Sequence, residues 1–237
     1  MNIMIIGATS GIGKALFLNY AKHGCRIGIV GRRRNLLEVL RQQYPINTMA
    51  VMADITKTEE SGLAISSIHE SFGHIDMAIV CAGTGELNPS LDYSIERQAI
   101  DTNVTGWTFV VDTLYRLFER QGKGHLVAIT SVGGLRGEPM APAYSATKAY
   151  QINYMEALRK RAFKSGAKVS VTDIRPGLVE TSMAKGDHLF WVMPVEKVAR
   201  QIIDKIRKKE PKAYVTKRWH ILAIMNKNLP FTLYKRM

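Results

Sequence analysis

Residues 2–13, Asn-Ile-Met-Ile-Ile-Gly-Ala-Thr-Ser-Gly-Ile-Gly, pass from an apolar run into a glycine-rich loop and then into a segment of helical period. Small loop residues let the backbone turn sharply and approach a pyrophosphate, and the N–H groups at the helix start face its negative charge. The glycine spacing also fits an ordinary turn, but its position after an N-terminal strand favours a dinucleotide site. We expect this site to use Gly7, Thr9, Ser10, Gly11, Ile12 and Gly13.

Beyond this loop, short apolar runs alternate with longer segments of helical period. Strands are predicted at residues 2–6, 26–30, 48–53, 76–80, 125–130, 168–174 and 213–215. Helices are predicted at residues 12–23, 33–43, 58–72, 92–121, 144–165 and 195–208, the fourth of them divided near residues 102–104. The strands are almost continuously apolar, as expected where helices cover both faces of a sheet. The pattern predicts a single α/β domain with a Rossmann-like, doubly wound parallel sheet of about seven strands.

Composition narrows the class of protein. The 237 residues are 46% hydrophobic, enough for a large core, and the two cysteines do not make a disulfide-stapled miniprotein. No apolar run approaches the roughly 20 residues needed to span a bilayer, and the first residues do not resemble a signal peptide. We therefore expect a cytoplasmic protein. The six histidines show no metal-ligand spacing, so no metal is predicted.

Positive charge is concentrated near the carboxyl end. The net charge is +13, and the last 41 residues hold twelve Lys or Arg against two acids, which leaves +3 for the rest. We divide the chain into a domain of residues 1–216 and a basic amphipathic extension of residues 217–237, in which cations flank apolar residues and Trp219. The extension either lies peripherally on an anionic membrane or docks on its own domain or a neighbouring subunit. Without a recognised reading motif, no nucleic-acid partner is expected.

A run of arginines follows the second predicted strand and bears on the choice of dinucleotide. An NAD site normally has an acid about twenty residues past the glycines, whereas an arginine there suits the 2′-phosphate of NADP. Arg32 lies at that distance and Arg33 comes next. A guanidinium matches phosphate oxygens in charge and geometry, so the sequence favours NADP(H). Alternatively, the arginines only begin a solvated helix.

Three further residues form a candidate proton-transfer site. Ser131 ends an apolar run, at the sheet edge where open α/β sheets bind ligands. Tyr144 and Lys148 are four residues apart on a predicted helix and so share one face. A tyrosine has an ordinary pKa of about 10, and a nearby ammonium should lower it towards neutrality. The serine hydroxyl can then hydrogen-bond a substrate carbonyl or alkoxide.

These motifs, in this order, resemble the short-chain dehydrogenase/reductase family over residues 2–216. The resemblance rests on Gly7, Gly11, Gly13, Asp54, Ala82-Gly83, Asn103, Ser131, Tyr144, Lys148 and the run Pro176-Gly177-Leu178-Val179-Glu180-Thr181. One departure is Val80-Cys81-Ala82-Gly83, where the family usually has Asn-Asn-Ala-Gly, and this puts local bracing of the sheet in doubt. We expect Cys81 to pack as a small buried hydrophobe rather than to act as a reactive thiol.

The resemblance implies a role for each matching residue. Tyr144 would be the general acid/base, Ser131 would orient the substrate, and Lys148 would lower the tyrosine pKa and hold the nicotinamide ribose. Asn103 would anchor a proton-relay water, Asp54 would contact the adenine, and Thr181 would contact the carboxamide. The full set of cofactor contacts outside the glycine loop and the arginines is Asp54, Ile55, Ala82, Gly83, Asn103, Tyr144, Lys148, Pro176, Gly177, Val179 and Thr181.

Apolar residues dominate the expected substrate side. The predicted pocket residues are Val132, Leu135, Leu178, Met183, Phe190 and Trp191. We therefore expect an NADP(H)-dependent oxidoreductase that acts on the CH–OH group of a hydrophobic alcohol, or on its ketone or aldehyde. The aromatic stretch around residue 190 fits a subunit interface equally well, and the family commonly forms homodimers or homotetramers. The alternative function is a non-catalytic dinucleotide-binding regulator or scaffold that docks through its basic tail.

Overall fold

Within the residues that the computed structural model describes, 1–184 and 191–235, seven apolar segments form one parallel sheet. The strands are β1 (Asn2–Ile6), β2 (Arg26–Gly31), β3 (Thr48–Met52), β4 (Met77–Val80), β5 (Lys123–Ile129), β6 (Lys168–Pro176) and β7 (Lys212–Val215). Their order across the sheet is β3-β2-β1-β4-β5-β6-β7. This confirms the predicted α/β class and the doubly wound sheet.

Helices connect the strands and cover the sheet. They are α1 (Gly11–Lys22), α2 (Arg34–Gln43), α3 (Thr58–Phe72), α4 (Tyr93–Ile100), α5 (Trp107–Gln121), α6 (Pro142–Ser165), α7 (Val195–Arg207), α8 (Lys217–Asn228) and α9 (Phe231–Tyr234). A π-helical segment, Asp101–Gly106, joins α4 to α5, and a short 3-10 turn, Val132–Leu135, follows β5. The predicted division of the long fourth helix near residues 102–104 therefore falls inside a wider helical turn rather than in a loop.

The two faces of the sheet carry separate apolar cores, which explains why the strands lack an alternating pattern. In β1, Ile3 and Ile5 belong to the core on one face, while Met4 and Ile6 belong to the core on the other. All four side chains are at most 1% exposed. Successive strand residues point to opposite faces, so a strand covered on both faces must be apolar at every position.

The strand order creates a cleft at the carboxyl edge of the sheet. From β1 the chain runs outward through β2 to β3, then returns to place β4 on the other side of β1. The connections that leave β1 and β4 therefore diverge, and open α/β sheets bind ligands at such a switch point. The glycine loop after β1 and the Ala82-Gly83 segment after β4 both border this cleft.

The basic extension docks on its own domain. α8 follows β7 directly and packs against the 3-10 turn after β5. The Arg136 guanidinium donates a hydrogen bond to the main-chain oxygen of Leu229, and the Tyr234 hydroxyl donates to the main-chain oxygen of Gly137 at 2.5 Å. Of the helices described, none combines the length and the apolar character needed to cross a membrane.

A close approach of two backbones fixes the π-helical segment, which carries Asn103. A Cβ on Gly106 would overlap the main-chain carbonyl of Ile55, in the segment between β3 and α3. Only a residue without a side chain allows this contact.

We expect Gly106→Ala to lower the free energy of unfolding by about 1–3 kcal/mol, because the added methyl must displace main chain rather than a flexible side chain. Urea denaturation measures the effect. The matched control is Gly62→Ala in α3, where a Cβ would meet only the ring of Phe109 at an ordinary 3.5 Å. That change should stabilise the helix by about 0.5–1 kcal/mol. Equal effects of the two substitutions would contradict the constraint at Gly106.

Candidate active site

The cleft has a volume of about 1740 Å³ and gathers nearly all of the predicted site residues. Apart from Asn103, every predicted catalytic or cofactor-contacting residue lines it. These residues are Gly7, Thr9, Ser10, Gly11, Ile12, Gly13, Arg32, Arg33, Asp54, Ile55, Ala82, Gly83, Ser131, Tyr144, Lys148, Pro176, Gly177, Val179 and Thr181.

The glycine loop is packed too tightly to carry side chains. Gly7 adopts φ +88° and its missing Cβ faces the main chain of Ala82, while a Cβ on Gly13 would overlap the Gly7 carbonyl. The first turn of α1 contains no acidic residue, and its Ser10 cap makes no side-chain capping bond. The loop therefore presents backbone N–H groups and a helix start to the cleft, an arrangement that binds phosphate.

Two arginines flank this loop. The Arg33 guanidinium donates to the Thr9 hydroxyl at 2.7 Å and to the Ser10 hydroxyl at 2.7 Å. Arg32 lies 3.6 Å from the Asp54 carboxylate and is 60% exposed. Burial raises the pKa of Asp54, but hydrogen bonds from Thr56 and the charge of Arg32 outweigh it and lower the pKa overall. The arginines therefore belong to the cleft wall and do not merely begin α2.

The serine and tyrosine meet at the centre of the cleft. Ser131 follows β5, and its hydroxyl accepts a hydrogen bond from the Gly133 N–H at 3.0 Å. A Cβ on Gly133 would meet both the Ser131 hydroxyl oxygen, at 3.3 Å, and the Tyr144 ring, at 3.5 Å, so the two side chains lie close together. The Tyr144 ring rests against Gly85, where any Cβ would collide with the ring. Gly85 is a site residue that the motif search missed, because only the folded structure brings this loop against α6.

Burial, rather than the nearby cation, sets the direction of the tyrosine pKa. Burial raises the pKa of Tyr144, and the nearby Ser131 side chain only partly opposes this. The Lys148 nitrogen lies 5.8 Å from the centre of the Tyr144 ring. Burial also lowers the pKa of Lys148, to about 8, and the negative charge of Asp173 only partly opposes this shift. The predicted lowering of the tyrosine pKa by Lys148 is therefore not found, because burial raises that pKa.

Asn103 is wholly buried beneath the cleft wall rather than exposed in it. Its side-chain oxygen accepts from the Thr84 N–H at 2.8 Å, and its amide donates to the Thr84 carbonyl at 2.7 Å and to the Thr147 hydroxyl at 3.1 Å. The side chain thus fixes the loop after β4 to α6. Asn103 is not among the residues that line the cleft, and its contact with the cofactor stays a prediction.

Gln151 joins Lys148 to the main chain of Asn103 and was not predicted. Its side-chain oxygen accepts from the Lys148 ammonium at 2.9 Å, and its amide donates to the Asn103 main-chain oxygen at 2.9 Å. The spacing of three residues from Lys148 places both on one helix face. That spacing was the available signal, but the contact with the π-helical segment depends on the fold.

The substrate side differs in part from the prediction. Val132, Leu135, Leu178 and Met183 line the cleft as expected. Trp191 is not part of the lining: it is 45% exposed, and the Arg218 guanidinium lies 5.6 Å from its ring. Phe190 lies outside the described residues.

The extension forms part of the cleft wall, although every site residue predicted from the sequence lies in the domain of residues 1–216. The Trp219 ring packs on Gly177, where a Cβ would overlap it, and its indole N–H donates to the Trp191 main-chain oxygen at 3.3 Å. Leu222 and Ala223 line the same side of the cleft. The extension is therefore part of the site, because it forms a wall at the apolar end of the cleft.

Cys81, the departure from the family pattern, is partly exposed and lines the cleft, so it is not the fully buried residue that was expected. Its Cβ lies in the small space between the loop and β4, where a Cβ on Gly13 would approach it to 3.2 Å. Burial raises the pKa of its thiol to about 12, so the thiol stays protonated at neutral pH.

Comparisons with known proteins agree with this arrangement. A family model described as short chain dehydrogenase matches residues 1–189. An uncharacterized oxidoreductase of Staphylococcus epidermidis is 31% identical over 185 residues, which cover 77% of this chain and 80% of that protein.

Two solved structures share the fold. A 3-ketoacyl-(acyl-carrier-protein) reductase from Brucella melitensis, in complex with NADH, has a TM-score of 0.80 and 21% identity, covering 90% of this chain and 96% of that one. A serine dehydrogenase in complex with NADP⁺ has a TM-score of 0.82 and 22% identity, covering 91% of this chain and 94% of that one.

Proposed function

The chain belongs to the short-chain dehydrogenase family and is an oxidoreductase, and from this premise we propose that it interconverts an apolar alcohol and its ketone or aldehyde with NADP(H). The observation that carries the proposal is the placement of Ser131 and Tyr144 close together in the cleft, with the Lys148 nitrogen 5.8 Å from the centre of the tyrosine ring. A binding scaffold needs a dinucleotide cradle but has no use for a proton donor, so these residues favour an enzyme over the non-catalytic alternative.

The residues present fit a dinucleotide. The absence of a Cβ at Gly7 and Gly13 lets the loop pack against Ala82 and turn tightly, and the loop and the start of α1 line the cleft, as a pyrophosphate site requires. Lys148 has its ammonium at the inner end of the cleft, where it can hold a ribose hydroxyl. When bound, the nicotinamide supplies or accepts a hydride.

The two cleft arginines support NADP(H) over NAD(H). Similar solved structures hold NADH in one case and NADP⁺ in another, so the choice rests on this chain's own residues. Arg33 is held against Thr9 and Ser10, and Arg32 is exposed at the same end of the cleft. Together they present two guanidinium groups to a 2′-phosphate.

The geometry suits proton donation in the direction of reduction. With its pKa raised by burial, the Tyr144 phenol is protonated at neutral pH and can donate to a carbonyl oxygen. The Ser131 hydroxyl can hydrogen-bond the same oxygen. Lys148, with a pKa near 8, is mostly charged at neutral pH and stabilises the phenolate that remains. Leu178 and Trp219 contribute apolar surface to the cleft wall.

We expect Tyr144→Phe to lower kcat at least about 100-fold, because it removes the donated proton and leaves the ring packing intact. Loss of NADPH absorbance with a panel of apolar ketones and aldehydes measures turnover, and fluorescence titration should show unchanged NADPH binding. Tyr150→Phe is the control, since Tyr150 lies on the same helix and bonds only Thr108 in the described structure. Turnover retained by Tyr144→Phe would contradict the assigned role.

We expect Arg32→Asp to weaken NADPH binding roughly 10- to 100-fold and to leave NADH binding within a few-fold, since a charge-assisted contact to phosphate is lost. Dissociation constants from fluorescence titration give the ratio between the cofactors. Arg34→Asp is the control, because Arg34 begins α2 and does not line the cleft. An unchanged ratio in Arg32→Asp would exclude this recognition of the 2′-phosphate.

A further inference from the structure

The mouth of the cleft is apolar and open to solvent. Met183, Met225 and Phe231 all line the cleft, yet they are 40%, 61% and 69% exposed. They come from the segment after β6, from α8 and from α9. Single apolar residues on a protein surface are common, but a group of them around a ligand entrance is not. Such a group indicates a surface that contacts another apolar surface or a membrane.

The extension continues this apolar surface outward. Ile221, Ile224 and Met225 recur at the spacing of one helix face, and the first two are 63% and 48% exposed without lining the cleft. Leu233 of α9 is 53% exposed. Because Leu222 and Ala223 face the cleft, α8 is apolar on two sides, although only one of them is covered by the domain.

The positive charge of the extension distinguishes between two possible partners of this surface, a second copy of the chain and an anionic bilayer. Residues 217–237 contain five Lys or Arg and no acid, and Arg218, Lys227 and Lys235 are exposed. A second copy of the chain in a twofold interface would bring these cations against one another. An anionic bilayer offers both an apolar interior for the exposed side chains and negative headgroups for the cations.

We propose that an entrance surface, formed by Met183, Ile221, Ile224, Met225, Phe231 and Leu233, docks on an anionic lipid bilayer. The cations of the extension contact the headgroups, and the cleft opens towards the lipid. An apolar substrate then enters directly from the bilayer. Only this last statement rests on the proposed function, since docking itself requires no catalysis.

Co-sedimentation with vesicles tests the docking. The full chain should bind phosphatidylcholine/phosphatidylglycerol vesicles at least roughly ten-fold more tightly than pure phosphatidylcholine vesicles, and salt should weaken the binding. Ile221→Glu/Ile224→Glu should reduce this binding at least roughly ten-fold, because both changes lie on the outer face of α8. The matched control is Leu63→Glu/Phe163→Glu, two side chains that are 72% and 88% exposed elsewhere on the domain.

The outcomes are distinct. Docking is supported if the control binds vesicles like the unchanged chain and the outer-face variant does not, whether or not any carbonyl substrate is turned over. It is overturned if the chain ignores anionic vesicles or if both variants bind equally. It is also overturned if sedimentation velocity shows a dimer that the outer-face variant dissociates, or if duplex DNA competes away the vesicles.

A second inference comes from the interior, at Gln151. This side chain is fully buried and spans the gap between Lys148 and the main chain of Asn103 through two 2.9 Å hydrogen bonds. The other acceptor near the ammonium is the Ile129 carbonyl, at 3.5 Å. The Asn103 main-chain oxygen that accepts from Gln151 belongs to the residue that, by the family resemblance, would anchor a proton-relay water.

We infer that Gln151 is a positioning residue that holds the Lys148 ammonium and stabilises its charged form. The other groups that face Lys148 are Tyr144, the Cys81 thiol and the Asp173 carboxylate. The Asp173 carboxylate is already paired with Arg175 at 2.7 Å, and the thiol is protonated. The amide oxygen of Gln151 is therefore the close acceptor that compensates the buried charge.

Titration of Lys148 by lysine-labelled NMR tests this role without any activity assay, with the signal assigned by its loss in Lys148→Met. Gln151→Leu removes the acceptor and should lower the Lys148 pKa by about one pH unit, whereas Gln151→Glu adds a carboxylate and should raise it by about one or more. The control Tyr150→Phe, at the adjacent position, should leave the pKa of Lys148 unchanged. A pKa that stays constant in Gln151→Glu, or that falls in both Gln151 variants, would refute the inference.

Discussion

The ammonium of Lys148, held inside the protein, is the constraint around which the site is built. An isolated charge in the interior is costly unless neighbouring groups compensate it. Gln151 and the Ile129 carbonyl supply direct acceptors, and Asp173 supplies a more distant negative charge. Gln151 in turn requires the Asn103 carbonyl, which the π-helical segment carries. The π-helical segment, held in place by the contact between Gly106 and the Ile55 carbonyl, therefore supports the groups that surround the Lys148 ammonium.

Much of the fold could be predicted because the central strands β1, β2, β4 and β5 are buried on both faces over most of their length. A fully buried strand is apolar at every position, so its limits are visible in the sequence to within a few residues, and the alternation with helices then fixes the parallel sheet. The π-helical segment could not be recognised as such from the sequence, because its spacing of polar and apolar residues differs little from that of an α-helix. The predicted break near residues 102–104 located it without giving its geometry.

The site was predictable where chemistry demands a residue type at a fixed spacing, as for Tyr144 and Lys148. It was not predictable where tertiary packing decides. Gln151 and Gly85 act through contacts between distant segments, and the direction of the Tyr144 pKa follows from burial, which the sequence does not display. The position of the extension could not be predicted either. A helix that is apolar on two sides can dock on its own domain or lie on a membrane.

The pKa directions of Tyr144 and Lys148 together bear on the direction of the proposed reaction. Burial keeps the Tyr144 phenol protonated well into the alkaline range, while Lys148 loses its charge as the pH rises through about 8. Below that pH the protein holds a protonated phenol and a cation together, which is the state that the proposed reduction of a carbonyl uses. The proposed oxidation uses the phenolate, and burial makes that anion harder to form. The burial that holds Tyr144 in place therefore also favours its role as a proton donor.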